Sequence, residues 1–156
     1  MNSPAEIRVR RMSAADVERV LKIAESLPQA PQWPASAYVA AMDAEHQPRR
    51  FALVAELASE EVVGFVVASL VFPEAELETI AVAIEGQRRG VGSLLLLALT
   101  QALTAERVSL LALEVRESNV AAIAFYRVHG FEQAGQRPRY YADPEEDAVL
   151  LALKLV

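Results

Sequence analysis

From Ile7 to Arg10 apolar and charged side chains alternate, the period of a half-buried strand. The period then lengthens: Ser13-Ala14-Ala15-Asp16 resembles a capping box, and Val17, Val20, Leu21 and Ala24 make the apolar stripe of a helix. Three prolines and Trp33 between Pro28 and Pro34 break that helix and predict a loop before a short helix over Ala35–Met42. Phe51–Leu57 and Val62–Phe72 are β-rich runs joined by the hairpin signal Ala58-Ser59-Glu60-Glu61, and Leu77–Ile84 reads as the next strand. The helix over Ser93–Leu103 is apolar on most sides, so sheet and neighbours should cover it. Val108–Val115 reads as a buried strand, and Ser118 or Asn119 as the cap of a helix that Gly130 ends. Phe131–Gly135 and Ala148–Leu155 are final strands around an irregular, charged connection. The order β-α-α-β-β-β-α-β-α-β-β defines an α/β (mixed α+β) chain. No repeat, low-complexity tract or internal boundary divides residues 1–156, which read as one domain.

Composition narrows the function classes. A chain of 156 residues can bury roughly two thirds of its unfolded surface and stand on one core. Its 53% hydrophobic and 23% charged residues exclude a disordered chain. Val62–Phe72, the most apolar run, is too short to span a membrane. Met1-Asn2-Ser3-Pro4-Ala5-Glu6 lacks an export signal, and the absence of cysteine excludes disulfides, a thiol nucleophile and thiolate-bound metal, so the cytoplasm is the expected compartment. His46 and His129, the only histidines, have no ligand spacing, and no metal is expected. A net charge of −6 argues against bulk nucleic-acid binding and for amine substrates.

The strongest chemical signal is Gln87-Arg88-Arg89-Gly90-Val91-Gly92, between a β-rich run and a helix. Its two glycines let the backbone turn and expose consecutive N–H groups, the helix adds partial positive charge, and the arginines add charged donors. A diphosphate suits this loop; a plain strand-to-helix turn with two solvated arginines is the alternative. A dinucleotide fingerprint needs a small residue where Leu95 stands, although Glu114 falls at a tempting distance downstream. A P-loop needs a Gly-Lys-Ser/Thr triplet that the chain lacks.

This loop resembles the acetyl-coenzyme A loop of the GNAT acetyltransferase superfamily. The run Leu113-Glu114-Val115-Arg116-Glu117-Ser118-Asn119-Val120-Ala121-Ala122-Ile123-Ala124-Phe125-Tyr126, followed by Gly130-Phe131, resembles its RimI branch, the ribosomal-protein-alanine N-acetyltransferases. The similarity runs from Leu77 to the C-terminus, Arg139-Tyr140-Tyr141 included. It implies a mostly antiparallel sheet flanked by helices and acetyl-coenzyme A as donor. Gln87 to Gly92 and Ser93 would hold the diphosphate, the main chain of Ile80, Ala81 and Val82 the pantetheine, and the Val82 amide the thioester carbonyl. Ala83 and Ile84, where Asp and Pro are usual, and Gly86, where a bulky residue is usual, depart from the RimI pattern and put the coenzyme geometry in doubt.

Acetyl transfer to an amine needs a base, a polarised carbonyl and an acid for the departing sulfur. Glu114 closes an apolar strand, where partial burial raises a carboxyl's pKa towards that of a base; the alternative is a solvated charge paired with Arg116 or Arg107. Tyr126 lies about 10 Å along the helix from Asn119 and takes the acid role that the resemblance assigns, half-buried structural packing being its alternative. Asn119 either bonds the pantetheine arm or only caps its helix. Trp33, Tyr140 and Tyr141 are candidates for the peptide groove or for edge packing, and Arg139 for a substrate acid or a coenzyme phosphate, a solvated charge being its alternative. The resemblance implies the α-amine of an N-terminal alanine on a small-subunit ribosomal protein as acceptor. A small amine, polyamine or lysine side chain is the first alternative, and a non-catalytic acyl-coenzyme A binding module the second. A monomer or homodimer acting without nucleic acid or membrane is expected.

Overall fold

The computed structural model describes residues 6–155; the segment read as lacking an export signal lies outside the described residues apart from Glu6. One sheet runs in the order β1-β2-β3-β4-β5-β7-β6. Its strands are β1 (Arg8–Arg11), β2 (Arg49–Glu56), β3 (Val62–Val71), β4 (Glu74–Val82), β5 (Leu110–Arg116), β6 (Glu132–Tyr141) and β7 (Glu146–Lys154). The helices are α1 (Val17–Glu25), α2 (Ala35–Met42), α3 (Val91–Ala105) and α4 (Val120–Val128). Only β4 and β5 pair in parallel. The α/β order is the one that the periodicity predicts.

Several boundaries differ. β4 stops at Val82, and Ile84, read as strand, sits 71% exposed in a 3-10 turn over Ile84–Gly86. The expected irregular connection is mostly strand, because β6 continues to Tyr141 against β7 with register shifts around Gly135 and between Arg137 and Tyr141. A 3-10 turn, Ala14–Asp16, precedes α1. There the Ser13 N–H donates to Asp16 at 2.7 Å, and Arg10 grips the same carboxylate through two donors at 2.8 and 2.9 Å, fastening the helix start to β1.

The sheet separates two cores. On one face Leu95, Leu99 and Leu103 of α3 are fully buried against Val66, Leu111 and Leu151, each leucine contributing about 1.5–3 kcal/mol. On the other, Val20 and Ile23 of α1 and Tyr38 of α2 cover Val54, Phe65 and Val67. Gly64 is the small residue that lets α3 approach, since a Cβ there would lie 3.0 Å from Val91 and 3.1 Å from Leu95. Along β4 the ladder slips, Thr79 facing Val67 and Leu77 facing Ala68, so Glu78 is an extra, bulged residue. Before it Ala75 and Leu77 enter the α3 core; after it Ala81 enters the α1/α2 core.

Candidate active site

β4 and β5 pair only from Glu74–Glu76 against Leu110–Ala112 and then part. The bulge at Glu78 falls where they separate, and a bulge adds local twist. The gap opens into a cleft of about 720 Å³, lined by β4 from Leu77 to Val82, by β5 from Leu113 to Arg116, and by Asn119, Tyr126 and Tyr141. The Ala83 N–H donates to the Val63 carbonyl at 2.8 Å. Because an antiparallel ladder alternates, the main-chain groups of Ile80 and Val82 point away from β3 into this gap. The Gln87 side chain donates to the Val82 carbonyl at 3.2 Å and ties the loop to the strand.

Past the 3-10 turn, Arg88 (φ 63°) and Gly90 (φ 78°) are left-handed, the kind of turn that gathers N–H groups into an anion-binding concavity. The first helical bond of α3 runs from the Leu94 N–H to the Gly90 carbonyl at 3.0 Å, so the Val91, Gly92 and Ser93 amides have no acceptor within the helix. The two motif glycines serve different ends, where the sequence suggests one. Gly90 supplies a positive φ, with nothing within 4 Å of where a Cβ would stand. Gly92 supplies space, since a Cβ there would lie 3.3 Å from Phe125 of α4. The departure at Gly86 also has a steric reason: a Cβ there would lie 2.9 Å from that of Val63. Ser93 ties α3 to α4. The His129 Nδ1 sits 2.8 Å from the Phe125 carbonyl, which can only accept, so in the neutral ring Nε2 accepts from the Ser93 hydroxyl at 2.8 Å.

Glu114 and Tyr126, from β5 and α4, come to the same cleft. The Glu114 side chain is 19% exposed and ion-pairs with Arg137 of β6 at 3.5 Å, not with Arg107 or Arg116. Arg116 instead pairs with Glu146 at 3.1 Å and stacks 4.3 Å from Tyr141; Glu146 also accepts the Ser118 N–H at 2.6 Å. These contacts fasten the β6–β7 turn beside the cleft. Tyr140 faces Glu114: hydrogen bonding to that carboxylate, and then its charge, raise the phenol above its ordinary pKa. Tyr126 is 7% exposed, edge-on to Phe125 and Phe131, and burial pushes its phenol up to about 12.

The Asn119 side chain caps α4, accepting the Ala122 N–H at 3.2 Å, and also lines the cleft. Trp33 is not among the lining residues; its ring packs 5.3 Å from Tyr38, while Leu27 to Pro31 of the same loop form a wall. Arg139 pairs at the surface with Glu145 at 3.2 Å. Sequence reasoning missed that wall, Arg137, and Thr79, a cleft residue whose buried hydroxyl has no hydrogen-bond partner among the described residues. The proline cluster was a signal for the wall; nothing local marks the other two.

The model of the acetyltransferase (GNAT) family matches residues 17–131. Curated relatives include the [ribosomal protein bS18]-alanine N-acetyltransferase of Salmonella typhimurium, 40% identical over 112 residues that cover 70% of this chain and 76% of the relative. The enzyme of that name from Haemophilus influenzae is 31% identical over 150 residues, 94% of this chain and 98% of the relative. Among solved structures, the ribosomal-protein-S18-alanine N-acetyltransferase from Escherichia coli superposes with a TM-score of 0.81 at 29% identity, covering 96% of this chain and 94% of that one. Ard1 from Thermoplasma volcanium gives 0.83 at 29% identity, covering 97% and 99%.

Proposed function

The chain belongs to the acetyltransferase (GNAT) family and is an acetyl-coenzyme A dependent N-acetyltransferase; from that premise we propose that it acetylates the α-amine of a protein N-terminal residue, alanine on a small-subunit ribosomal protein, with Glu114 as base and Tyr126 as acid. The named activity of its relatives supports the acceptor. The observation that carries the chemistry is that Glu114 and Tyr126 share the β4–β5 gap into which the Val82 N–H points.

The residues present fit the coenzyme: the α3 amides, the left-handed turn at Gly90 and the main chain of Ile80 and Val82 offer donors along one path. In this reading Arg88 and Arg89 add charge to the diphosphate site, Val91 and Gly92 supply amides, and Ala81 anchors β4 to the core. The coenzyme supplies the acetyl group and a thiolate leaving group. With the coenzyme bound, Glu114 would take a proton from the amine at a carboxylate oxygen, the Val82 N–H would be the donor available to the thioester carbonyl, and the Tyr126 hydroxyl would hold a proton for the sulfur. Near pH 7.5 an α-amine with pKa near 8 is neutral roughly 200-fold more often than a lysine ε-amine near 10.4, which asks much less of Glu114.

Incubating the protein and acetyl-coenzyme A with alanine-started peptides, their N-terminally blocked lysine counterparts and polyamines, then reading mass shifts, tests the acceptor. The free N-terminal peptides should gain acetyl; modification confined to lysines or polyamines would refute the assignment.

A further inference from the structure

The face of the sheet turned towards α1 and α2 is covered unevenly. Those helices build their core on β2, β3 and the far end of β4, and that core takes in no side chain of β5 or β7. Over the near half of β4 and over β5 and β7 lies an open groove of about 340 Å³. Strand alternation says which residues it presents. Leu111 and Leu113 of β5 and Val149 and Leu151 of β7 go to the α3 core, so Ala112, Glu114, Leu150 and Ala152 face the groove. On β4, Ala75 and Leu77 go to the same core, which turns Glu74 and Glu76 to the groove side.

We infer that this groove receives the stretch of acceptor polypeptide just behind its N-terminal residue, and that Glu76 pairs with a basic side chain, lysine or arginine, at the second or third position. The inference rests on the acceptor assigned above. Continuity supports it first, because Glu114 lines both the cleft and the groove. Glu76 stands opposite Ala112, two residues along β5 from Glu114, or about 7 Å at strand rise. An amine held at Glu114 places the side chain of the next residue or two within reach of Glu76. Charge is the second support. The Glu76 carboxyl is held above its ordinary value by burial, then by the charges of Glu114 and Glu78, with Arg137 alone opposing. Glu78 is engaged by Arg50 at 2.7 Å, and Arg137, which lines the groove, is engaged by Glu114 at 3.5 Å with its guanidinium 5.5 Å from the Tyr140 ring. An arriving cation would therefore relieve Glu76. Third, the floor of alanine and leucine suits the methylene stem of lysine or arginine, whose charged head can reach the acidic rim.

The test compares alanine-started peptides carrying lysine, alanine or glutamate at positions two and three. The kcat/KM of each is measured on the wild type, Glu76→Gln and Glu76→Lys, alongside fluorescence-anisotropy binding of the same peptides to the protein with coenzyme A. The wild type should favour the basic peptide over the neutral one by about fivefold at low salt, the size of one partly exposed ion pair. Glu76→Gln should bring that ratio near one, and Glu76→Lys should reverse it towards the acidic peptide. A wild-type ratio near one, or a preference that survives Glu76→Gln, overturns the inference. If no peptide is acetylated, the acceptor assignment falls, and binding decides the groove by itself: a Glu76-dependent preference for the basic peptide upholds it, and equal affinities overturn it.

Discussion

Replacing Tyr126 by phenylalanine removes one oxygen and leaves the ring in its seat, because the edge contacts to Phe125 and Phe131, with centroids at 5.4 and 5.3 Å, need only the hydrocarbon. The phenol sits at about 12, raised by burial. A free thiol sits near 8.5, so complete proton transfer would be uphill by about 3.5 units, or roughly 5 kcal/mol. That is tolerable inside a barrier of about 14–17 kcal/mol, which corresponds to ordinary turnover. Burial also disfavours a thiolate beside the phenol, so the gap in the site is smaller than those roughly 3.5 units. In the proposed acid role the hydroxyl would complete its transfer only as the carbon–sulfur bond breaks. Its loss should lower kcat by about 10²-fold or more, the scale of a positioned acid, with the KM for the coenzyme changed less than about threefold.

The assay is thiol release at saturating peptide across pH 6 to 11. A phenol raised to about 12 stays protonated through this range, so the wild type should show no loss of kcat near pH 10 of the kind an unperturbed tyrosine would give. Equal kcat in the two proteins would refute the acid role. An alkaline limb near pH 10 that disappears in Tyr126→Phe would refute the burial argument while keeping the role.

Gly92→Val should weaken coenzyme binding by about tenfold and lower Tm, since its Cβ would stand 3.3 Å from Phe125 and force α3 from α4 at the proposed diphosphate site; calorimetry showing unchanged affinity would contradict this. Tyr38→Phe should raise Tm, because the Tyr38 hydroxyl is fully buried without a hydrogen-bond partner among the described residues, an arrangement that costs about 1–3 kcal/mol; a lower Tm would count against it. Asp16→Asn should cost about 2 kcal/mol in urea unfolding at pH 7 by removing the carboxylate that takes two charged hydrogen bonds from Arg10, which keeps Glu56, at 3.2 Å, as its carboxylate partner. Hydrogen bonding from Arg10 lowers the native Asp16 pKa, so its contribution is complete above the unfolded value near 3.9 and fades as pH falls through the native one. The gap between the variants should close on acidification, and a gap independent of pH would refute the linkage.

Element order was legible because buried helices and strands here keep their periods, as Val17, Val20 and Ala24 on α1 and the apolar run of β3 show. β6 was not, for a physical reason. It is an edge strand exposed on both faces, holding Gly135, Pro138 and a left-handed Arg139, and only its pairing with the distant β7 makes it a strand. Ile84 misled in the opposite direction, an apolar residue continuing a strand that the 3-10 turn had already ended. The Gln87–Gly92 loop and the pair Glu114 and Tyr126, which line one cleft, were readable as motifs, while the partners that place Glu114, Arg137 and Tyr140, come from a strand whose register no local signal fixes.

The single extra residue at Glu78 is what lets one strand build both cores and leave a gap between them. In the sequence Leu77, Thr79 and Ala81 share one parity, and an unbroken strand would send all three to one face. Yet Leu77 belongs to the α3 core and Ala81 to the α1/α2 core, so without the bulge one of them would lose its packing. The same slip turns the side chains of Ile80 and Val82 onto the α3 core. The twist that accompanies it falls where β4 leaves β5, so the cleft follows from the hydrophobic pattern of one strand. Its wall is pinned by a core on each face, which is the rigidity that a main-chain donor such as the Val82 N–H needs if it is to meet a developing charge without rearrangement.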